Sequence, residues 1–231
     1  MPRPSLVVVL VAAAALPALA LAAPVATPVS VTGAFERVAS RGDFDVEVRE
    51  GSPASVEIVA EAGWAERIAV EVSGGELRLS RKKDFDSAKG VVVKVVVPVF
   101  RALSVSGSGK GTAESGGSPR DVALSVSGSG ELAWKGTAAA LDVDVSGSGE
   151  VKLAGRGESL KVAVSGSGEV RAKDFAVKDA TVAIAGSGDV DLRLAGGTLN
   201  AQIAGSGDVT WSGEGKVGAA SIAGSGRVRQ R

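Results

Sequence analysis

Along the second half of the chain, apolar and polar residues alternate one by one. Leu141, Val143 and Val145 are apolar while Asp142, Asp144 and Ser146 are polar. After Gly147-Ser148-Gly149 the alternation resumes, with Val151 and Leu153 set against Glu150 and Lys152. The same order recurs with Leu160, Val162, Val164 and Val170, and again with Val182, Ile184, Val190 and Leu192. Period-two alternation bounded by turn residues predicts half-buried β-strands. Gly-Ser-Gly punctuates the pattern seven times, with first glycines at Gly107, Gly128, Gly147, Gly166, Gly186, Gly205 and Gly224. The spacings between them are 21, 19, 19, 20, 19 and 19 residues, and a fixed period marks a repeat architecture.

An antiparallel meander and a solenoid both satisfy such a pattern. The residue two before each tripeptide decides between them: Val105, Val126, Val145, Val164, Ile184, Ile203 and Ile222. Like on like in every copy is what parallel stacking of equivalent positions rewards, whereas a meander has no reason to keep a column uniform. The pattern therefore predicts a β-solenoid with coils of about 19–20 residues, seven of them rising roughly 30 Å. The turns fall at Gly107 and Gly109, Gly128 and Gly130, Gly147 and Gly149, Gly166 and Gly168, Gly186 and Gly188, Gly205 and Gly207, and Gly224 and Gly226. Glycine lets the chain corner there without a Cβ.

Residues 31–100 lack the tripeptide but keep the alternation. Phe44, Val46 and Val48 share one face, followed by Val56 and Ile58, then Ile68, Val70 and Val72, then Leu77 and Leu79 across a Gly74-Gly75 turn. The apolar run Val91–Val97, broken only by Lys94, reads as a strand covered on both faces, ending before Pro98. Ala62–Arg67 could form a short helix. This half reads as irregular coils on the same stack, giving one domain over 31–231.

Composition narrows the chemistry. The chain has 231 residues, 32 of them Gly, with aromatics at 3%. Its core must come from layers of small β-branched side chains rather than a few large anchors. It has no His and no Cys, which excludes imidazole catalysis, thiol catalysis, disulfides and thiolate metal sites. Formal charge is zero with both signs interleaved, which argues against a nucleic-acid partner. At the N-terminus, Arg3, an apolar run from Leu6 to Ala23 and small residues near Ala20 and Ala22 read as a signal peptide over 1–23, followed by a short linker over 24–30. The expectation is export to the periplasm, outer surface or medium, with no membrane span after cleavage.

Serial Val-x-Val-Ser-Gly-Ser-Gly-Glu-Val units resemble the bacterial head GIN domain family, described as a putative autotransporter adhesin. Gly33-Ala34-Phe35-Glu36-Arg37-Val38, Gly42-Asp43-Phe44-Asp45-Val46-Glu47-Val48 and Gly74-Gly75-Glu76-Leu77-Arg78-Leu79 resemble its opening strands. The resemblance spans about residues 31–231. It implies a right-handed parallel β-helix, an exported or cell-surface location and an adhesive role, and it carries no catalytic set.

One polar column stands out. The residue after each tripeptide is Lys110, Glu131, Glu150, Glu169, Asp189, Asp208 and Arg227. Five successive carboxylates at roughly 4.8 Å spacing repel one another unless balanced. Glu131, Glu150, Glu169, Asp189 and Asp208 are therefore the candidates for a divalent cation such as calcium, or for a basic partner. The competing reading is a solvated turn edge softened by Lys152, Arg171 and Arg229. No other cofactor is expected.

Polysaccharide chemistry on a solenoid flank would draw on Asp142, Asp144, Asp189, Asp191, Arg171 and Lys161, which form no recognisable constellation in sequence. Trp134 and Trp211 fall at inward positions, as core rather than sugar platforms. Outward positions before the turns are small at Ser125, Ala163, Ala183 and Ser221, with Asp144 and Gln202 between. The final stretch Arg227–Arg231 shows no capping helix, so self-association through a solenoid end is expected. The leading expectation is a non-catalytic, exported solenoid that binds a surface, a glycan or a protein of the envelope. A periplasmic structural or sensory protein with a protein partner is the alternative, and a divergent polysaccharide-active enzyme a remote third.

Overall fold

A computed structural model describes residues 24–231; the expected signal peptide lies outside the described residues. Sixteen strands follow one another: β1 (Val25–Val29), β2 (Arg37–Gly42), β3 (Asp45–Glu50), β4 (Ser55–Ala60), β5 (Ile68–Ser73), β6 (Glu76–Arg81), β7 (Val92–Val97), β8 (Ala102–Gly107), β9 (Lys110–Glu114), β10 (Arg120–Gly128), β11 (Glu131–Gly147), β12 (Glu150–Gly166), β13 (Glu169–Gly186), β14 (Asp189–Gly205), β15 (Asp208–Gly224) and β16 (Arg227–Gln230). A single 3-10 turn, Ala65–Arg67, sits where the short helix was expected.

The repeats stack in parallel, coil on coil. Val105, Val126, Val145, Val164, Ile184, Ile203 and Ile222 are successive register partners, as the uniform column requires. All but Ile222 are buried. The same sequence logic explains the turn. The first glycine of each tripeptide takes a positive φ, +111° at Gly147 and +119° at Gly166, where a side chain is strained. A Cβ on Gly147 would also lie 2.6 Å from the carbonyl oxygen of Gly128 one rung below. That closeness is functional: the amide of each middle serine donates to that carbonyl, as in Ser148 to Gly128 and Ser167 to Gly147, both 2.9 Å. The second glycine has an ordinary φ, but a Cβ on Gly130 would stand 2.7 Å from the Gly109 oxygen. Both glycines are needed because rungs at strand spacing leave no room for a side chain between them.

Inside the coils Trp134 and Phe175 reach across rungs and meet, ring centroids 5.7 Å apart and tilted by 56°. Both are fully enclosed. Gly157 makes room for this pair, since a Cβ there would press to 2.8 Å on the Phe175 ring.

The N-terminal part differs from a simple series of coils. β2 pairs in parallel with β6 on one side and β8 on the other, and β3 does the same with β7 and β9. The rung β2–β3 therefore lies inside the stack, between β6–β7 and β8–β9, although it precedes both in sequence. Beyond it, β5 lies antiparallel on β6, β4 antiparallel on β7, and β1 antiparallel on β4. The segment expected as a linker thus contributes strand β1. Antiparallel strands close this end of the solenoid because their direction cannot continue a parallel coil. In β7, Val93, Val95 and Val97 face the core, while Val92 and Val96 are only half-buried beside exposed Lys94; the strand is not covered on both faces. At the opposite end, the last described rung leaves the interior positions Val217 and Ile222 39% and 43% exposed.

Candidate binding faces

Each tripeptide turn separates two outer sheet faces, and their chemistry differs sharply. The strand after the turn carries the acidic column. Glu131, Glu150, Glu169 and Asp189 are neighbours in register, headed by Lys110, and Asp208 is followed by Arg227. The structure interleaves this column with cations rather than leaving it bare. Lys152 lies 2.9 Å from Glu150 and 3.9 Å from Glu131; Arg171 lies 2.7 Å from Glu150 and 2.6 Å from Glu169. Lys110 approaches Glu131 at 3.8 Å, and Arg229 approaches Asp208 at 3.9 Å. The hydrogen bonds from Arg171 to Glu169 hold its guanidinium above its ordinary pKa. The Asp189 carboxylate accepts the Asp208 amide at 2.9 Å. The result is a zipper of alternating sign, in which each carboxylate faces a cation or an amide. Among the described residues no three acidic side chains converge to surround an ion.

Farther along the same strands, Lys135, Lys152, Arg171 and Lys173 surround small residues, Ala133 and Ala154, over a shallow depression of about 460 Å³. Glu114 and Asp174 stand at its ends. Among the described residues, Lys135 and Lys173 have no acidic partner within ion-pair distance, and both are exposed. Sequence reading missed this depression, because it depends on Ala133 and Ala154 lying on neighbouring rungs among long cations.

The strand before each turn carries the other face. Its outward positions are Ala102, Ser104 and Ser106 on one rung, Ala123, Ser125 and Ser127 on the next, and so on to Ala219, Ser221 and Ala223. Ser125 donates to Ser104 across rungs at 2.8 Å. At these three positions of the seven rungs the charged residues are Asp142, Asp144 and Lys161, with Asp121 and Asp179 exposed one outward position earlier on β10 and β13. The six polar residues considered for polysaccharide chemistry are therefore split. Asp142, Asp144 and Lys161 lie before the turn, while Asp189, Asp191 and Arg171 lie after it on the other face. Trp134 and Trp211 are buried at 2% and 5% exposure and offer no stacking surface to a sugar.

A family profile described as "Putative auto-transporter adhesin, head GIN domain" matches residues 34–215. The chain belongs to the head GIN domain family. Solved structures share the head GIN fold at low identity. A putative adhesin from Bacteroides fragilis superposes with a TM-score of 0.81 at 19% identity, covering 90% of this chain and 97% of that one. A putative lipid binding protein from Parabacteroides distasonis superposes with a TM-score of 0.69 at 20% identity, covering 90% and 97%. A putative adhesin from Parabacteroides merdae gives 0.67 at 19%, covering 90% and 96%. None of the curated proteins matches the chain. At such identities the head GIN solenoid is shared as a fold, and function rests on the faces this chain presents. No helix among its described residues is long and apolar enough to cross a membrane.

Proposed function

We propose that this head GIN solenoid is an exported, non-catalytic adhesin whose charged face binds anionic groups on a cell-surface glycan. The observation that carries the reading is the depression where Lys135, Lys152, Arg171 and Lys173 crowd around Ala133 and Ala154. Lys152 and Arg171 are engaged by the acidic column, so Lys135 and Lys173 are the cations free for a ligand. A carboxylate- or phosphate-bearing glycan chain suits Lys135 on β11 and Lys173 on β13, which stand two rungs apart, about 10 Å at strand spacing. The family description supports adhesion, and the polar residues considered for polysaccharide chemistry are divided between two faces rather than gathered at one site.

The test is a glycan array carrying polyuronates, phosphorylated polysaccharides and neutral dextrans, probed with labelled residues 24–231 with and without calcium. Saturable, salt-sensitive binding to an anionic class, weakened at least several-fold by Lys135→Gln with Lys173→Gln and unchanged by calcium, supports the reading. Equal binding to neutral and anionic glycans, or none to either, contradicts it.

A further inference from the structure

The face before the turns is one sheet surface of mostly small side chains, hollowed between Ala102 and Ala163 and again between Ala163 and Ala223, and two opposite charges on it are placed for a copy of itself. We propose that the chain forms a two-fold symmetric dimer through this face, with Asp142 of each protomer paired to Lys161 of the other.

The argument begins with register. Asp142 and Lys161 are direct partners on adjacent rungs, in one outward column. A two-fold axis lying along the strands, midway between these rungs, turns the solenoid axis over but keeps each column above itself. Rung β11 of one copy then lies over rung β12 of the other, so Asp142 faces Lys161 twice. Asp144 faces Ala163, and Ser146 faces Ser165. The rung of Ala123, Ser125 and Ser127 falls over Thr181, Ala183 and Ala185, and that of Ser104 over that of Gln202. One rung farther out, Arg37 and Arg41 of β2 fall over Ala219 and Ala223. At the centre the charges that face each other directly are the opposite pairs Asp142 and Lys161, while Asp144 of each copy lies over Ala163 with its mate one rung away, so the orientation rests on the two Asp142–Lys161 contacts.

The placement is specific to this face. Across the turn, each acidic residue of the zipper is met by a cation or an amide within its own chain. By contrast, Asp142, Asp144 and Lys161 take part in no ion pair within 4.0 Å among the described residues, although Asp142 and Lys161 are register neighbours and all three are exposed. Unspent charges in an otherwise neutral surface define one orientation for a partner and exclude others.

The area is sufficient. The eight rungs paired this way, at strand spacing, by the six residues from each outward start to the tripeptide give a patch of about 38 by 17 Å, or roughly 1,300 Å² buried over two copies. That clears the minimum a specific interface needs. The dimer stands apart from whatever the charged face binds, since that face stays outside the contact.

Sedimentation velocity on residues 24–231, which contain every described strand, tests it across low to high micromolar concentration. The expected result is a concentration-dependent dimer. Asp142→Lys alone and Lys161→Asp alone each place like charges together and weaken it at least tenfold. An equimolar mixture of these two variants restores a heterodimer, and the double variant restores a homodimer, because both reconstitute the opposite-charge pairs. Circular dichroism checks that the exposed substitutions leave the fold intact. A monomer at every concentration overturns the proposal. So does a dimer indifferent to the single reversals, which places self-association on another surface such as the exposed rung at Ile222.

Discussion

Arg171 stands between the carboxylates of two successive rungs, 2.7 Å from Glu150 below it and 2.6 Å from Glu169 on its own strand. That position turns a column of like charges into a zipper. Calcium at millimolar concentration should therefore leave the melting temperature of residues 24–231 unchanged, because the carboxylates already face cations and do not converge. Replacing Arg171 by Gln should leave melting close to wild type, since exposed pairs contribute little to stability, and this variant is where a calcium response would emerge. A rise in melting temperature for wild-type protein on adding calcium would show that the column is a metal site after all.

The tripeptide turn makes a sharper distinction. Gly147→Ala meets both a positive φ and the Gly128 carbonyl, so it should cost more than about 2 kcal/mol. Ser148→Ala leaves the backbone donor untouched and should cost under about 0.5 kcal/mol, as for an ordinary surface change. Urea unfolding of the two variants, side by side, checks the contrast.

Asp43 carries a pH dependence. It takes the place of the middle serine in the turn of the β2–β3 rung, because Gly42 and Gly107 are register partners. Burial pushes its carboxyl up, but the Ser87 hydroxyl at 2.6 Å, the Ala88 amide at 3.0 Å, its own amide and the Arg81 guanidinium together outweigh that and hold it below its ordinary value. A group with a lowered folded pKa stabilises the fold above its unfolded pKa, about 3.9, and loses that contribution as pH falls through the folded value. Wild type should thus exceed Asp43→Asn in stability at pH 6, with the gap narrowing below about pH 4. A gap that is constant with pH would mean that Asp43 acts through shape alone.

Trp134 is the largest fully enclosed side chain, packed against Phe175. Trp134→Ala should cost about 3–5 kcal/mol, read as a loss in the urea midpoint. A cost near zero would mean that the interior between these rungs can collapse around the vacancy.

Much of the regular stack was legible because stacking writes itself into sequence. Val105 to Ile222 form a column in the chain for the same reason they form one in space. The inward position of Trp134 and Trp211 followed from the alternation that also placed Val151 and Val170. The N-terminal arrangement was not legible, since period two is the same for parallel and antiparallel strands. Nothing in Phe44-Asp45-Val46 tells that its rung will be enclosed between two that come later, and β1 carries Pro28 and a segment too short to show a pattern. The charged depression and the Asp142–Lys161 pairing were hidden for another reason. The register that joins their residues was legible, but which side chains are left unpaired at each position, and where small residues open a hollow, depends on side-chain contacts that spacing does not give.

The adhesive reading meets its most direct test on intact cells. Labelled residues 24–231 are titrated onto whole bacterial and host cells, alongside the Lys135→Gln, Lys173→Gln variant and with free polyuronate as competitor. Saturable binding that polyuronate displaces, and that the variant loses, is the expected result. No saturable binding on any cell, together with recovery of a specific envelope protein in pull-downs from cell extracts, would contradict adhesion and put a protein partner in the place of the glycan.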